Sequence, residues 1–269
     1  MKRLWLLLFP ILLVSCHFTR PAPPLPAPAY DIWVSYLPET DQEAQFQLGV
    51  RPIPMDNGWT DLRMERDLLR MADCRIRVVM LQLTSAQLID ADFLNRVWKF
   101  CELAQRKQLF VVPYLVQDKE NPVVLERGNL LRYLESLKFK EIPALLQIQD
   151  RNAVLVSEAF QLEDAEDGTS EGIALLRFGK ELPSRPDSFL PETALLPAEY
   201  RWASAGIYRD DAWQLKRQRG NALAKQLLQL RTTPPRVLLL DSWNDYRRGS
   251  FMEQNSLDGT CMTKAVKNR

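Results

Sequence analysis

The sequence predicts an α/β chain folded as a (β/α)8, TIM-barrel-like domain, and three observations carry that expectation. Short apolar runs alternate with amphipathic segments of helical period, and about eight such runs can be counted. The last run, Val237 to Leu240, delivers polar and aromatic residues straight into a turn. Barrel enzymes present reactive side chains where strands run out into βα loops, so the third observation fits the first two. A doubly wound open sheet, built from the same alternation, is the alternative.

Taken in order, Asp31 to Tyr36 is an apolar and aromatic run stopped by Pro38, which makes it a first strand. Thr60 can cap a helix in which Met64, Leu68 and Met71 recur every three to four residues. Arg75 to Leu83 is rich in β-formers. Ala86 to Gln108 carries Phe93, Val97, Cys101 and Ala104 at helical spacing, and Leu109 to Val116 is almost wholly apolar, as a strand buried on both faces should be. Leu130 to Lys138 reads as helix, while Ile142 to Ile148, Ala153 to Val156, Ile173 to Phe178 and Trp202 to Ile207 read as strands. Helices are expected to be missing or irregular between residues 150 and 200. Asp211 to Leu230 reads as one amphipathic helix with Leu223, Leu227 and Leu230 inward, leading to a last strand at Arg236 to Leu240.

The chain begins with Lys2 and Arg3, an apolar run from Leu4 to Val14, and then Ser15 and Cys16, the layout of a secretory signal too short to anchor by itself. Leu13-Val14-Ser15-Cys16 resembles the bacterial lipobox, which implies cleavage before Cys16 and acylation of that residue; a signal peptide cut elsewhere is the alternative. His17 stands where an Asp would favour inner-membrane retention, which implies an outer-membrane lipoprotein facing the periplasm of a Gram-negative host. From Arg20 to Tyr30 five prolines interleave with alanine, a composition for an extended stalk. The expected organisation is a signal peptide at 1–15, a lipidated cysteine and stalk at 16–30, and one barrel domain at 31–269.

Loss of Lys2 and Arg3 would take the formal charge from +1 to about −1, so no global basic field attracts nucleic acid. Lys216, Arg217, Arg219 and Lys225 fall on the helix read at 211–230, as its solvated face. Cys74, Cys101 and Cys261 allow at most one internal disulfide; Cys74 with Cys101 is the expected pair, with buried free thiols as the alternative. No pair has CxxC spacing, which argues against zinc. His17 is the only histidine and lies outside the domain, which excludes a Ser-His-Asp triad, a Cys-His dyad and a histidine-ligated metal. Neither a Walker loop nor a Gly-rich dinucleotide loop is present, and no cofactor is expected.

Hydrolysis in such a domain would rest on carboxylates, and several acids follow strands: Asp118, Asp150, Glu158, and then Asp241, Asp245 and Glu253. Glycoside hydrolysis needs one carboxyl group to protonate the leaving oxygen and a second as nucleophile or base, while Trp202, Trp243 and Tyr246 can stack on sugar rings. Each residue also has a plain reading: Asp118 and Asp150 as caps or turn residues, Trp202 and Trp243 as packing.

Ser242-Trp243-Asn244-Asp245-Tyr246 followed by Gly249-Ser250-Phe251-Met252-Glu253 resembles the last-strand signature of glycoside hydrolase families 71 and 99 and their relatives in polysaccharide clusters. That resemblance implies a barrel acting on α-linked mannan- or glucan-type polymers without a cofactor. It places Asp245 and Glu253 at family acids, with Trp243, Asn244, Tyr246 and Trp202 toward the sugar. Arg248 departs from it, standing where a second acidic group is expected, and a guanidinium is neither proton donor nor base at neutral pH. Beside Asp245 it also favours the ionised carboxylate. Asp150 or Glu158 would then supply the missing acid, or the site binds glycans without cutting them and Arg248 contacts the ligand. Three functions remain open: a lipid-anchored glycosidase, a non-catalytic glycan-binding or polysaccharide-assembly lipoprotein, and an envelope scaffold that contacts only protein.

Overall fold

The computed structural model describes residues 30–38, 48–54, 58–117, 124–136, 138–148, 150–157, 160, 162–163, 172–178, 200–209, 212–232 and 234–268. Its main sheet is eight-stranded. β1 (Asp31–Tyr36) pairs in parallel with β2 (Val78–Leu83) on one side and with β12 (Val237–Leu240) on the other. Beyond β2 follow β3 (Phe110–Leu115), β6 (Arg151–Ser157) and β8 (Ile173–Phe178), all parallel. Beyond β12 lies β9 (Tyr200–Ala203), again parallel. From β1 to β8 each parallel strand therefore sits beside its neighbour in sequence, β9 sits beside β12, and the first strand sits beside the last; β8 and β9 do not pair among the described residues. That is the cyclic order of a barrel; a doubly wound sheet would reverse direction at its first strand.

Alternate residues divide the sheet into two faces. Trp33, Val78, Met80, Val112, Tyr114, Ala153, Leu155, Ala174, Val237 and Leu239 pack together on the inner face, with Trp202 against them. Ile32, Val34, Tyr36, Val79, Leu81, Val111, Val154, Leu238 and Leu240 point outward and meet the helices. Both faces are apolar, which is why these strands read as near-continuous hydrophobic runs.

The helices follow local signals. α1 (Asp61–Asp73) starts where the Thr60 hydroxyl accepts from the Arg63 N–H at 3.3 Å, and it buries Met64, Leu68 and Met71. Truncating one of these to Ala would cost about 2–5 kcal/mol. The segment expected as one helix at Ala86 to Gln108 is two, α2 (Ser85–Ile89) and α3 (Ala91–Arg106), broken at Asp90, whose carboxylate caps Phe93 at 3.1 Å. α4 (Arg127–Ser136), α5 (Asn221–Gln229) and α6 (Cys261–Lys267) complete the set. No helix lies among the described residues between 150 and 200, where β7 (Leu162–Glu163) pairs with β4 (Leu125–Glu126) in a separate two-stranded sheet.

Four expectations are corrected. Residues 142–148 do not form a parallel strand: Leu145 makes one bridge to Val111, and β5 (Gln147–Ile148) folds antiparallel onto β6. The strand read at Trp202 to Ile207 is two, β9 and then β10 (Ile207–Arg209). Only the second half of 211–230 is helical, because β11 (Ala212–Leu215) pairs antiparallel with β10, and Gln218 and Arg219 adopt left-handed φ of 50° and 49°. Arg217 is therefore not on a solvated helix face but buried. Finally, Cys74 and Cys101 are buried and not joined to each other, and neither they nor Cys261 are in a disulfide; burial pushes the Cys101 thiol up to about 12.

Candidate functional site at the barrel mouth

The last strand ends in a chain of capped turns. The Asp241 N–H donates to the Ala203 carbonyl at 2.9 Å, which carries the parallel ladder one residue past β12 and keeps Asp241 on the inner face with Val237 and Leu239. Ser242 then turns the chain outward, its hydroxyl accepting from the Asn244 N–H at 3.1 Å and from the Asp245 N–H. Asp245 caps the following turn: Oδ1 accepts from the Arg248 N–H at 3.0 Å and Oδ2 lies 3.8 Å from Arg248 Nε. Asn244 clamps the end of β1, donating to the Leu37 carbonyl at 2.7 Å and accepting from the Leu37 N–H at 2.9 Å. Its amide thus extends the β1–β12 pairing by one step.

Beyond the turn, the signature residues go into the outer layer rather than the mouth. The Trp243 side chain is fully buried against the helices, and its backbone N–H donates to the Ser35 carbonyl at 2.7 Å. Tyr246 is also fully buried and stacks on Phe251 at 4.2 Å; the Arg217 guanidinium covers the Phe251 ring at 3.8 Å. Arg217 ties the whole turn together, donating to Asp258 at 2.6 Å and to the Gly249 and Phe251 carbonyls at 2.7 Å each. Gly249, at φ 66°, lies so close to Trp213 that an added Cβ would sit 2.8 Å from the ring, so no larger residue fits.

Glu253 is 1% exposed and pairs with Arg63 at 3.5 Å; Arg63 also lies 3.5 Å from Asp67. Asp67 accepts from the Tyr36 hydroxyl at 3.1 Å, which in turn accepts from the Trp59 indole at 3.1 Å. Arg66 approaches Asp67 at 3.7 Å. α1 therefore buries Arg63 and Asp67 while leaving Leu62 and Leu69 exposed, the reverse of ordinary partition. Burial and the neighbouring Asp67 push the Glu253 carboxyl up to about 8 against the pull of Arg63. Burial also raises Asp67, against Arg63 and Arg66, and lifts the Tyr36 phenol well above its ordinary value. The cluster can hold a proton, but it lies behind the sheet.

The mouth itself is formed by the inner face at the carboxyl ends of the strands. Asp241 is there, nine-tenths buried, its Oδ2 accepting from the Ser204 hydroxyl at 3.2 Å. The Gly206 carbonyl, 2.7 Å away, shares that single hydroxyl proton, and Gln226 of α5 brackets the Ser204 backbone. Gln82 of β2 hydrogen-bonds the Ser35 hydroxyl of β1. Tyr114 of β3 and Trp202 of β9 face the same space, and the register sets Trp33 beside Leu239, itself beside Trp202. The buried Trp33 indole N–H has no hydrogen-bond partner among the described residues. This arrangement offers aromatic faces, hydroxyl and amide groups, one carboxylate and a donor, the set that recognises a polyhydroxylated ligand. Among the described residues no group of His, Cys, Asp and Glu side chains is placed to hold a metal ion.

Of the acids singled out in the sequence, the structure thus brings Asp241 into the mouth, places Asp245 in the turn behind it and Glu253 in the outer layer. Asp150 is corrected: it sits at φ 60° in the turn between β5 and β6, at the amino end of a strand of seven residues, about 23 Å from the mouth end. Arg248 stays partly exposed at the rim, with its backbone carbonyl accepting from Tyr208 at 2.7 Å. Asp118, Glu158 and Cys16 lie outside the described residues. The period-two reading within β1 and β2, and carried one step past the end of β12, is the signal that would have found Trp33, Gln82 and Asp241.

No family model matches the sequence, and no curated protein matches it. Solved structures do match by shape. The GH99 endo-α-mannosidase from Bacteroides thetaiotaomicron, in complex with bis-tris propane, superposes with a TM-score of 0.64 at 8% identity, covering 88% of this chain and 95% of that one. A glycoside hydrolase-like protein superposes with a TM-score of 0.58 at 10% identity, covering 93% of this chain and 96% of that one. The chain has a glycoside hydrolase family 99-like barrel fold.

Proposed function

We propose that the protein binds a glycan chain in the barrel mouth without cleaving it. The observation that carries this reading is the fate of the signature carboxylate: Asp245 caps the Arg248 turn and pairs with Arg248, which stands where the resemblance calls for a second acid. Glu253 is held behind the sheet by Arg63. The mouth keeps what binding needs: the Trp202 face, Tyr114, Asp241 as acceptor and the Trp33 N–H as donor. The shape likeness to an endo-α-mannosidase supports an α-linked mannan- or glucan-type ligand. Acylation at Cys16 and the stalk to residue 30 would tether the barrel to the outer membrane, facing the periplasm.

One observation favours hydrolysis as the second reading. Asp241 presents a carboxylate to the mouth, and β3 and β6 lead toward Asp118 and Glu158, from which a partner acid would come. Incubation with α-mannans and α-glucans separates the two. Saturable retention on one polymer without new reducing ends is expected. Reducing ends released by the unmutated protein and abolished in Asp241→Asn would establish the hydrolase.

A further inference from the structure

A second surface of the barrel has the chemistry of a polyanion site. α5 and α6 run side by side on the outside, and a groove of about 440 Å³ lies between them. Its floor is apolar, made by Ala224, Leu227, Leu228 and Ala265, with Leu228 60% exposed. Its polar lining contains Arg219, Arg231 and Lys264 and no carboxylate. No ion pair is formed by Arg219 or Lys264 among the described residues, whereas Lys267, one helical turn on from Lys264, is paired with Asp73 at 3.4 Å. Among the described residues the Arg231 guanidinium donates to the Asn268 carbonyl, at 3.4 Å, and forms no ion pair.

The cations are also arranged in a line. Arg219 precedes the first turn of α5 and Arg231 follows its last, about 18 Å apart along the axis at 1.5 Å per residue. Lys264 stands across the groove on α6. Arg219 is held in left-handed backbone geometry, φ 49° and ψ 47°, uncommon for a side-chain-bearing residue. The two helices begin together, since a Cβ on Gly220 would lie 2.8 Å from the Cys261 carbonyl oxygen. Both follow loops at the mouth end of the barrel, so the groove starts at the end where the mouth opens.

We propose that this groove binds an acidic oligosaccharide, its carboxylates on Arg219, Lys264 and Arg231 and its sugar C–H faces on the leucine and alanine floor. The anionic character follows from the groove alone; the sugar character rests on the glycan-binding reading above. The apolar floor favours a sugar backbone over bare phosphate, which has no C–H face to lay on it.

The test uses the full chain, titrated by calorimetry with oligogalacturonate, neutral malto-oligosaccharide and inorganic polyphosphate at low and high salt. Oligogalacturonate is expected to bind, to weaken as salt rises, and to lose about tenfold in affinity in Arg219→Gln/Arg231→Gln/Lys264→Gln. Leu228→Ser should weaken oligogalacturonate and leave polyphosphate unchanged. Both variants alter exposed side chains, and an unchanged thermal melt confirms folding. Oligogalacturonate binding that ignores the triple substitution, or no binding at all, overturns the site. Polyphosphate binding as tight as oligogalacturonate overturns the sugar assignment. Mouth variants such as Trp202→Ala serve as the separate control: loss of neutral glycan there, with the groove intact, strikes only the proposed function.

Discussion

Asp241 and Glu253 are twelve residues apart in one short motif, yet they end on opposite faces of the same sheet. Asp241 extends β12 and stays inward, at the carboxyl end of the barrel, where its Oδ2 accepts from the Ser204 hydroxyl. Glu253 lies outward, behind β1, closed in with Arg63, Asp67, Tyr36 and Tyr246. The comparison teaches that a carboxylate's use is decided by the face it is given. Behind the sheet, a carboxyl group must face a cation or keep its proton, because an unpaired ion there has lost its water. At the mouth, a carboxylate is held by neutral hydroxyl and backbone groups instead of a buried cation.

Removing Arg63 should therefore have the largest effect. Arg63→Ala leaves Glu253 buried without its cation and Asp67 with Arg66 alone, and is expected to cost about 3–5 kcal/mol, read as a drop in the thermal melt on the order of 10 °C. Arg217→Lys comes next: a lysine keeps the charge but cannot donate to Asp258, Gly249 and Phe251 from one planar fork, so a loss of about 2–3 kcal/mol is expected in urea melts. An Arg217→Lys protein as stable as the original would show that the turn does not depend on that fork.

The cluster should also impose a pH dependence. Glu253 rises from an ordinary 4.5 to about 8 on folding, so between those values the folded state holds a proton that the unfolded state has lost. Stability on this account falls as pH rises from about 4.5 to about 8, and the loss is complete above that. Glu253→Gln, neutral throughout, should flatten the urea midpoint across this window. A midpoint that climbs with pH in the unmutated protein would contradict the assignment.

The smallest stability effect belongs to the turn. Asp245→Asn keeps an acceptor for the Arg248 N–H and loses only a half-exposed ion pair, so about 1 kcal/mol or less is expected.

Much of the barrel was legible in the sequence because its strands are buried on both faces: Val237 to Leu240 and Val111 to Leu115 could be little else. α1 was legible because Thr60, Met64, Leu68 and Met71 combine a cap with a helical stripe. Residues 211–230 were misread since the spacing of Leu223, Leu227 and Leu230 extends smoothly backward, while the β10–β11 hairpin depends on Trp213 packing over Gly249, a contact made across the fold. The same limit applies to the site. Arg63 and Asp67 look like a surface i,i+4 pair, and nothing local shows that β1 and the last turn close over them. Asp245 stood out through a resemblance, whereas Asp241 needed only the strand's period of two carried one step past Leu240.

The central claim is that the mouth-facing carboxylate, and not the one at the signature position, meets the ligand. Its most direct test is glycan binding by Asp241→Asn and Asp245→Asn, measured side by side on whichever α-linked polymer the unmutated protein retains. Loss of at least about tenfold in affinity for Asp241→Asn, with Asp245→Asn close to the original, is the predicted result. The opposite pattern, binding lost with Asp245 and kept without Asp241, would contradict it.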